Sequence, residues 1–277
     1  MARALILLCL IWGFNFVVMK TANKFFTPEI FVTYRFLSGA VVLLIVASFM
    51  KLPLPPKKFW IWIILSGALQ ISYCSVALQT CFKYMSAGLA AMLNYTMPIW
   101  VAILAKFFLN ERLTTKKVFG IALSITGVFM LMNDDSDGHL FAVFLALSAA
   151  FGWAISNVIM KAKLTKCNAI ALTTWQMVAG ALMLVVYTFN FGDTTAEWTL
   201  ISIACLAYNG IIASAFAFFV WVYVLEHMEA GKASISVLGV PVVSVISGVI
   251  FLNEPLTLFM ILGMLMILSG IILVQHS

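Results

Sequence analysis

Apolar runs recur along this chain at residues 4 to 19, 30 to 50, 59 to 81, 86 to 108, 115 to 132, 139 to 160, 170 to 191, 199 to 224, 231 to 252 and 256 to 274. Each is near the ~20 residues that an α-helix needs to cross the hydrocarbon core of a bilayer. Strands of a membrane barrel would alternate apolar and polar positions over ~10-residue segments, and no such alternation is present. The pattern predicts an all-α membrane protein of ten transmembrane helices. Their connections are short, the longest being Leu52 to Lys58 with three prolines and the acidic stretch at 133 to 138. No soluble domain fits between the helices.

The ten runs fall into two sets of five. Trp12-Gly-Phe-Asn-Phe-Val-Val-Met-Lys20 returns as Trp153-Ala-Ile-Ser-Asn-Val-Ile-Met-Lys161, and Gly39-Ala40 matches Gly180-Ala181 at the same offset of 141. After a slip of two residues the correspondence continues: Ala87-Gly88 with Ala230-Gly231, Pro98 with Pro241, Leu109-Asn110-Glu111 with Leu252-Asn253-Glu254, Leu113-Thr114 with Leu256-Thr257, Gly120 and Gly127 with Gly263 and Gly270. Five spans per half is an odd number, so the second half must enter the membrane from the opposite side. Residues 1-133 and 134-277 are therefore expected to form two inverted five-helix repeats, with a substrate site near the midplane where they meet.

Composition agrees with the bilayer assignment: 64% of residues are hydrophobic, 9% are charged, and the mean hydropathy is +1.11. Soluble chains are roughly half apolar and a quarter charged. The net charge of +6 follows from topology. If the chain starts in the cytoplasm, twelve basic residues lie on that side (Arg3, Lys51, Lys57, Lys58, Lys106, Arg112, Lys116, Lys117, Lys161, Lys163, Lys166 and Lys232), against Lys20, Lys24 and Lys83 outside. Both termini are then cytoplasmic, and the basic excess argues for no nucleic-acid partner. The first run resembles a signal peptide in its charged start and apolar stretch, but no small-x-small cleavage site follows. Its return at 153 to 161 marks it as the first span.

Polar residues inside spans are costly against lipid and normally turn toward the bundle interior or a water-filled cavity. Helical spacing puts Leu8, Trp12, Asn15 and Met19 on one face, and Ala149, Trp153, Ser156 and Met160 on the matching face of the sixth helix. Ser66, Gln70, Tyr73 and Ala77 share a face of the third helix, and Asn209, Ala213, Phe216 and Val220 a face of the eighth. Trp12, Asn15, Gln70, Tyr73, Asn94, Tyr95, Trp153, Ser156, Asn157, Trp175, Gln176 and Asn209 are the candidate substrate-binding residues. The alternative for each amide is an interhelical hydrogen bond worth about 1 kcal/mol. Pro98, after Asn94-Tyr-Thr-Met97, removes the helical donor of the Asn94 carbonyl, and Pro241 does so for Val237; matched prolines suggest paired hinges. Arg35 is the basic residue inside a span. It can attract an anion such as a carboxylate, but a structural role is preferred, snorkelling to the surface or pairing with Glu29.

Several classes of chemistry are excluded. The five cysteines follow no paired spacing, the three histidines lie on separate loops or the tail, and no phosphate-binding glycine loop is present. No metal, cofactor or ATP hydrolysis is expected, and the protein is not expected to be an enzyme. The Asn-Glu-x-Leu-Thr elements at 110 to 114 and 253 to 257 fall at opposite membrane faces on this topology, so they share no active site; Glu there suits a helix N-terminus. Every Asp and Glu falls in or beside a loop. A proton-coupled carrier usually keeps an embedded carboxylate or histidine, so facilitated diffusion or exchange is expected.

Trp12-Gly-x-Asn, Arg35 with Gly39, Gly88 with Pro98, and Leu109-Asn-Glu-x-Leu-Thr114 followed by Gly120 and Gly127 resemble the EamA family of the drug/metabolite transporter (DMT) superfamily, and the likeness recurs in both halves. The second half departs from the pattern at Ala154, Ser156 and Gln176. The resemblance implies a ten-helix metabolite exporter of the bacterial inner membrane, with a central cavity lined by helices one to four and six to nine. The expected function is secondary transport, most simply export, of small organic metabolites such as amino acids or aromatic compounds by alternating access. A channel-like facilitator is the alternative, and an intramembrane enzyme would need nucleophile, ligand or carboxylate clusters that are missing. The expected partners are a small-molecule substrate and the bilayer, in a monomer or weak homodimer. The orientation is directly testable: Asp135→Cys and Lys57→Cys are expected to react with a membrane-impermeant thiol reagent from opposite sides, and labelling of both from one side would remove the inverted repeat.

Overall fold

The computed structural model describes residues 2–108, 114–131, 139–227, 237 and 239–275. The described part is built of helices: α1 (Ala2–Ala22), α2 (Pro28–Phe49), α3 (Trp60–Gly67), α4 (Cys74–Cys81), α5 (Ala87–Asn94), α6 (Met97–Phe108), α7 (Thr115–Leu131), α8 (His139–Lys163), α9 (Ala169–Phe191), α10 (Leu200–Ala207), α11 (Ala217–His227), α12 (Gly239–Leu252) and α13 (Leu258–Gln275). Seven continuous helical stretches are long and apolar enough to cross a membrane; α12 and α13 supply shorter apolar helices. The pieces α3 and α4 belong to one such stretch, as do α5 with α6 and α10 with α11. This is a multi-pass membrane protein. Ala230-Gly231, Leu109-Asn110-Glu111 and the acidic stretch at 133 to 138 lie outside the described residues.

Neighbour relations recur when each element is replaced by the one its sequence matches. Helix α1 packs on α12, and its match α8 packs on α5 and α6; α2 packs on α9, and α7 on α13. The α3–α4 stretch lies against α8 and α9, and the α10–α11 stretch against α1 and α2. Glycine permits the closest of these approaches. A methyl on Gly67 would sit 2.5 Å from the Gln176 carbonyl oxygen, and one on Gly39 would sit 3.1 Å from that of Gly210. Gly39 and Gly67 are the sequence partners of Gly180 and Gly210, so each half sets a bare backbone against the other.

Both long stretches carry a wide π-turn at their centres, Ala68–Tyr73 between α3 and α4 and Tyr208–Phe216 between α10 and α11. Such a turn spans five residues per hydrogen bond rather than four, and it shifts the phase of every side chain after it. The face expected from 3.6 spacing is broken there. Gln70 and Asn209 stay buried, while Tyr73 and its match Phe216 turn out to exposures of 46% and 44% and Cys74 and Ala217 turn in. The fourth span is interrupted at Tyr95–Thr96, with Pro98 at the start of α6, where a missing N–H costs little. Thr96 partly compensates by donating its hydroxyl to the Leu93 carbonyl at 2.7 Å. The Val237 carbonyl, expected to be free, accepts from the Val240 N–H at 3.0 Å.

One end of the bundle gathers Lys20, Lys83, His139 and Glu254 around an open cleft of about 830 Å³. The other carries Lys163 over the Trp62 ring at 5.5 Å, beside a small cluster containing Ile63 and Leu164. Gly67→Ala is expected to lower thermal stability in detergent by about 1–3 kcal/mol, because the methyl meets a main-chain oxygen that cannot rotate away. An unchanged melting temperature would show that the helices can part there without cost.

Candidate functional site

The site grows from three groups of inward polar residues. Helix α1 keeps Leu8, Trp12, Asn15 and Met19 buried on one stripe, as its periodicity requires. Trp12 donates its indole N–H to the Ala213 carbonyl at 3.1 Å, an oxygen in the second π-turn. Its ring meets Trp153 (6.4 Å), Phe218 (5.9 Å) and Trp221 (5.7 Å), and Trp153 stacks on Phe218 at 6.1 Å. This aromatic knot sits where both halves and the broken fourth span converge.

Beside it is an internal cavity of about 10 Å³, room for one water molecule, lined by Trp12, Asn94, Tyr95, Met97, Trp153 and Trp221 together with Val237. Asn94 Oδ1 and the indole nitrogens of Trp153 and Trp221 are buried there without a protein partner. Asn157 gives its Nδ2 to the Met97 sulfur at 3.3 Å, and its Oδ1 is likewise unpartnered. Buried polar atoms are nearly always satisfied, since each orphan costs about 1–3 kcal/mol. Three on residues that line one cavity, with Asn157 beside the lining Met97, mark a place where a small polar guest is accommodated better than lipid or packed side chains.

The second group is an amide relay. Gln70 Oε1 in the first π-turn accepts from Gln176 Nε2 at 2.9 Å and from Ser156 Oγ at 3.2 Å, joining the third, seventh and sixth spans. The third group surrounds Arg35. It is neither at the surface nor paired with Glu29: only 5% exposed, it donates through Nε to Ser214 Oγ at 2.8 Å and through Nη1 to the Met19 sulfur at 3.3 Å. Both forms of the structural role expected for it, snorkelling to the surface and pairing with Glu29, are thereby corrected. Inward packing of α2 between α9 and the second π-turn leaves the side chain no route to either end.

The remaining candidates stand apart. Tyr73 donates to Ser148 Oγ at 2.8 Å on the exposed flank, and Trp175 meets Trp60 at 5.2 Å in a separate cluster. Asn209 is fully buried, giving its Nδ2 to the Cys205 carbonyl at 3.1 Å, with Oδ1 unpartnered. Sequence reasoning missed Trp221 and Phe218, whose repeat partners Leu78 and Ser75 are unlike them. It also missed the partner of Glu254. That carboxylate reaches Lys20 Nζ (2.8 Å) and the Ala87 N–H (2.8 Å), so it caps the N-terminus of α5 rather than the helix that follows it. Asn253, at φ 52°, turns the chain back to allow this; Asn tolerates the left-handed region better than most residues. The matching pair Glu111 and Ala230-Gly231 offered the signal, since the repeat gives Lys20, Ala87 and Glu254 equivalents together.

The model of the EamA-like transporter family matches residues 2–133 and 140–275. The chain belongs to this family. An uncharacterized transporter, YoaV, of Bacillus subtilis (strain 168) is 32% identical over 269 residues, 95% of this chain and 92% of that protein. A protein of Escherichia coli (strain K12) described as "Probable amino-acid metabolite efflux pump" is 29% identical over 280 residues, 96% of this chain and 91% of that one. A solved structure described as "Crystal structure of protein" superposes with a TM-score of 0.73 at 15% identity, covering 99% and 96% of the two chains, and so shares the fold. For this EamA-like transporter, Gln70→Leu removes the oxygen that two buried donors use. It is expected to cost about 1–3 kcal/mol in thermal unfolding, and Gln70→Leu with Gln176→Leu less than the sum of the single losses; strict additivity would show that the relay is not one unit.

Proposed function

We propose that this protein is a secondary transporter that exports small organic solutes, amino acids or aromatic metabolites, across a bacterial inner membrane by alternating access. The observation that carries the reading is the cavity beside Trp12, Asn94 and Trp153, whose lining residues carry three unpartnered polar atoms, at the junction of both halves. Tryptophan faces hold an apolar or aromatic side chain; amides and indole N–H groups orient its polar end. The cavity is too small for a solute in this state, as an occluded intermediate requires. Substrate-binding roles are assigned to Trp12, Asn15, Asn94, Tyr95, Trp153, Ser156, Asn157, Gln70, Gln176 and Asn209; Tyr73 and Trp175 sit further out and would act at the flanks.

Two inverted repeats, 1-133 and 134-277, are supported by the exchange of neighbour relations between matched elements and by the family model falling on two segments of similar length. In this reading α7, α12 and α13 complete ten spans. Lys20 and Lys83 at one end, with Lys163 at the other, accord with both termini in the cytoplasm. The Lys20–Glu254 pair on the α5 N-terminus holds the outer end together, and Pro98, just after the interruption at Tyr95–Thr96, and its match Pro241 are assigned as the hinges about which each half rocks. Export is favoured over import by the efflux description of one relative.

The test is counterflow in proteoliposomes loaded with a panel of unlabelled amino acids and aromatic metabolites. Trans-substrate is expected to accelerate tracer entry several-fold, also with a protonophore present, and Glu254→Gln to slow that exchange by loosening one closed state. Entry indifferent to trans-substrate would indicate a channel, and strict dependence on a proton gradient would defeat uncoupled exchange.

A further inference from the structure

The two polar groups on either side of the aromatic knot are related by the repeat, and they are not equally complete. Arg35 matches Gln176, Asn15 matches Ser156, Met19 matches Met160, and Ala213 matches Gln70. In the Gln176 group, the Gln70 carboxamide supplies the oxygen on which both other side chains converge. In the Arg35 group that position is Ala213, whose side chain has no oxygen. The group that carries the positive charge is the group without the acceptor.

The consequence is visible in the bonds that Arg35 makes. Its Nη1 and the Asn15 Nδ2 both point at the Met19 sulfur, at 3.3 and 3.1 Å, although a thioether is a weak acceptor. Ser214 Oγ takes Nε. Among the described residues no carboxylate lies within ion-pair distance of the guanidinium, and Asn15 Oδ1 has no partner. A buried charge without a counter-ion is one of the costliest arrangements in a protein, and more so where the surroundings are hydrocarbon. An acceptor supplied from outside the chain during the working cycle removes that cost.

We propose that Arg35, with Asn15 and Ser214, is the subsite for the carboxylate of the transported solute. The proposal rests on the transport reading above and narrows its substrate to a carboxylate-bearing class, α-amino acids foremost. A guanidinium offers a fork of N–H donors that matches a carboxylate's two oxygens, and Met19 can swing its flexible thioether aside. Asn15 Oδ1 then serves an adjacent ammonium group. The aromatic site is contiguous: Phe36 lies under the guanidinium at 4.7 Å and meets Phe218 of the knot at 6.1 Å, and Trp12 binds the Ala213 carbonyl next to Ser214. A solute held by its carboxylate at Arg35 thus directs its side chain toward Trp12 and Trp153.

The experiment compares matched acids and amides on the purified full chain: L-phenylalanine, L-leucine and L-threonine against their carboxamides, by binding calorimetry and by counterflow in proteoliposomes. Wild type is expected to bind at least one acid about tenfold or more above its amide. Arg35→Gln, which installs the residue found at the repeat position, is expected to bring that ratio near one, and Arg35→Lys to keep a reduced preference. Equal binding of acid and amide to wild type, no binding of any acid, or a preference that survives Arg35→Gln would each overturn the subsite; the wild-type comparison decides even if the variant does not fold. Acid-selective binding without counterflow would support the subsite and remove the carrier reading, whereas counterflow of amides equal to acids would leave the carrier and remove the subsite.

Discussion

Hydrocarbon offers no hydrogen bonds, and that single constraint organises this protein. Any polar side chain or freed carbonyl within a span must find its partner inside the bundle or in a cavity. The chain concentrates nearly all its intramembrane polarity on the faces where the two halves meet: Asn15, Arg35, Gln70, Asn94, Ser156, Gln176 and Asn209 are all buried there. The outward faces are left to Leu, Ile, Val and Phe. Helix pairs can close upon such a polar seam only if backbones approach, and the glycines at 39, 67, 180 and 210 provide that approach. Removing polarity would give a tighter bundle with nothing to carry.

The π-turns extend the same logic. By widening the helix at Ala68–Tyr73 and Tyr208–Phe216 they bring Gln70 and Ala213 to the centre and loosen the main chain beside them. The Ala213 carbonyl then accepts an indole N–H from α1. Two matched distortions in the two halves are consistent with inherited design rather than local accident, and they occur beside the aromatic knot.

Much of this was legible in the sequence, for identifiable reasons. Hydropathy, the offsets of 141 and 143, and the periodicity of α1 and α8 are local properties, and helices bound in lipid obey them because their hydrogen bonds are internal. The faces of the third and eighth spans were misphased at Tyr73 and Phe216, since a π-turn has no composition signal and shifts the phase of the residues after it. Arg35 was misjudged because burial depends on which helices flank α2. Glu254 was rightly placed near a helix N-terminus, but the helix is α5, distant in sequence, and only the three-dimensional arrangement joins them.

Symmetry of scaffold and asymmetry of chemistry are both needed for transport of an asymmetric solute. In the proposed alternating-access cycle, equivalent folds in the two halves would give inward-open and outward-open states comparable energies, so that neither traps the protein. The side chains at equivalent positions then differ where the solute is proposed to be held: Arg35 opposite Gln176, Asn15 opposite Ser156, Ala213 opposite Gln70. At the ends, by contrast, equivalence is retained, with Lys20 and Lys161, Ala87 and Ala230, Glu254 and Glu111 repeated as types. An ion pair that caps a helix is strong when formed and readily hydrated when parted at a membrane surface. Repeating those residue types at the ends while diversifying the middle would, in the proposed cycle, separate the element that switches from the element that recognises.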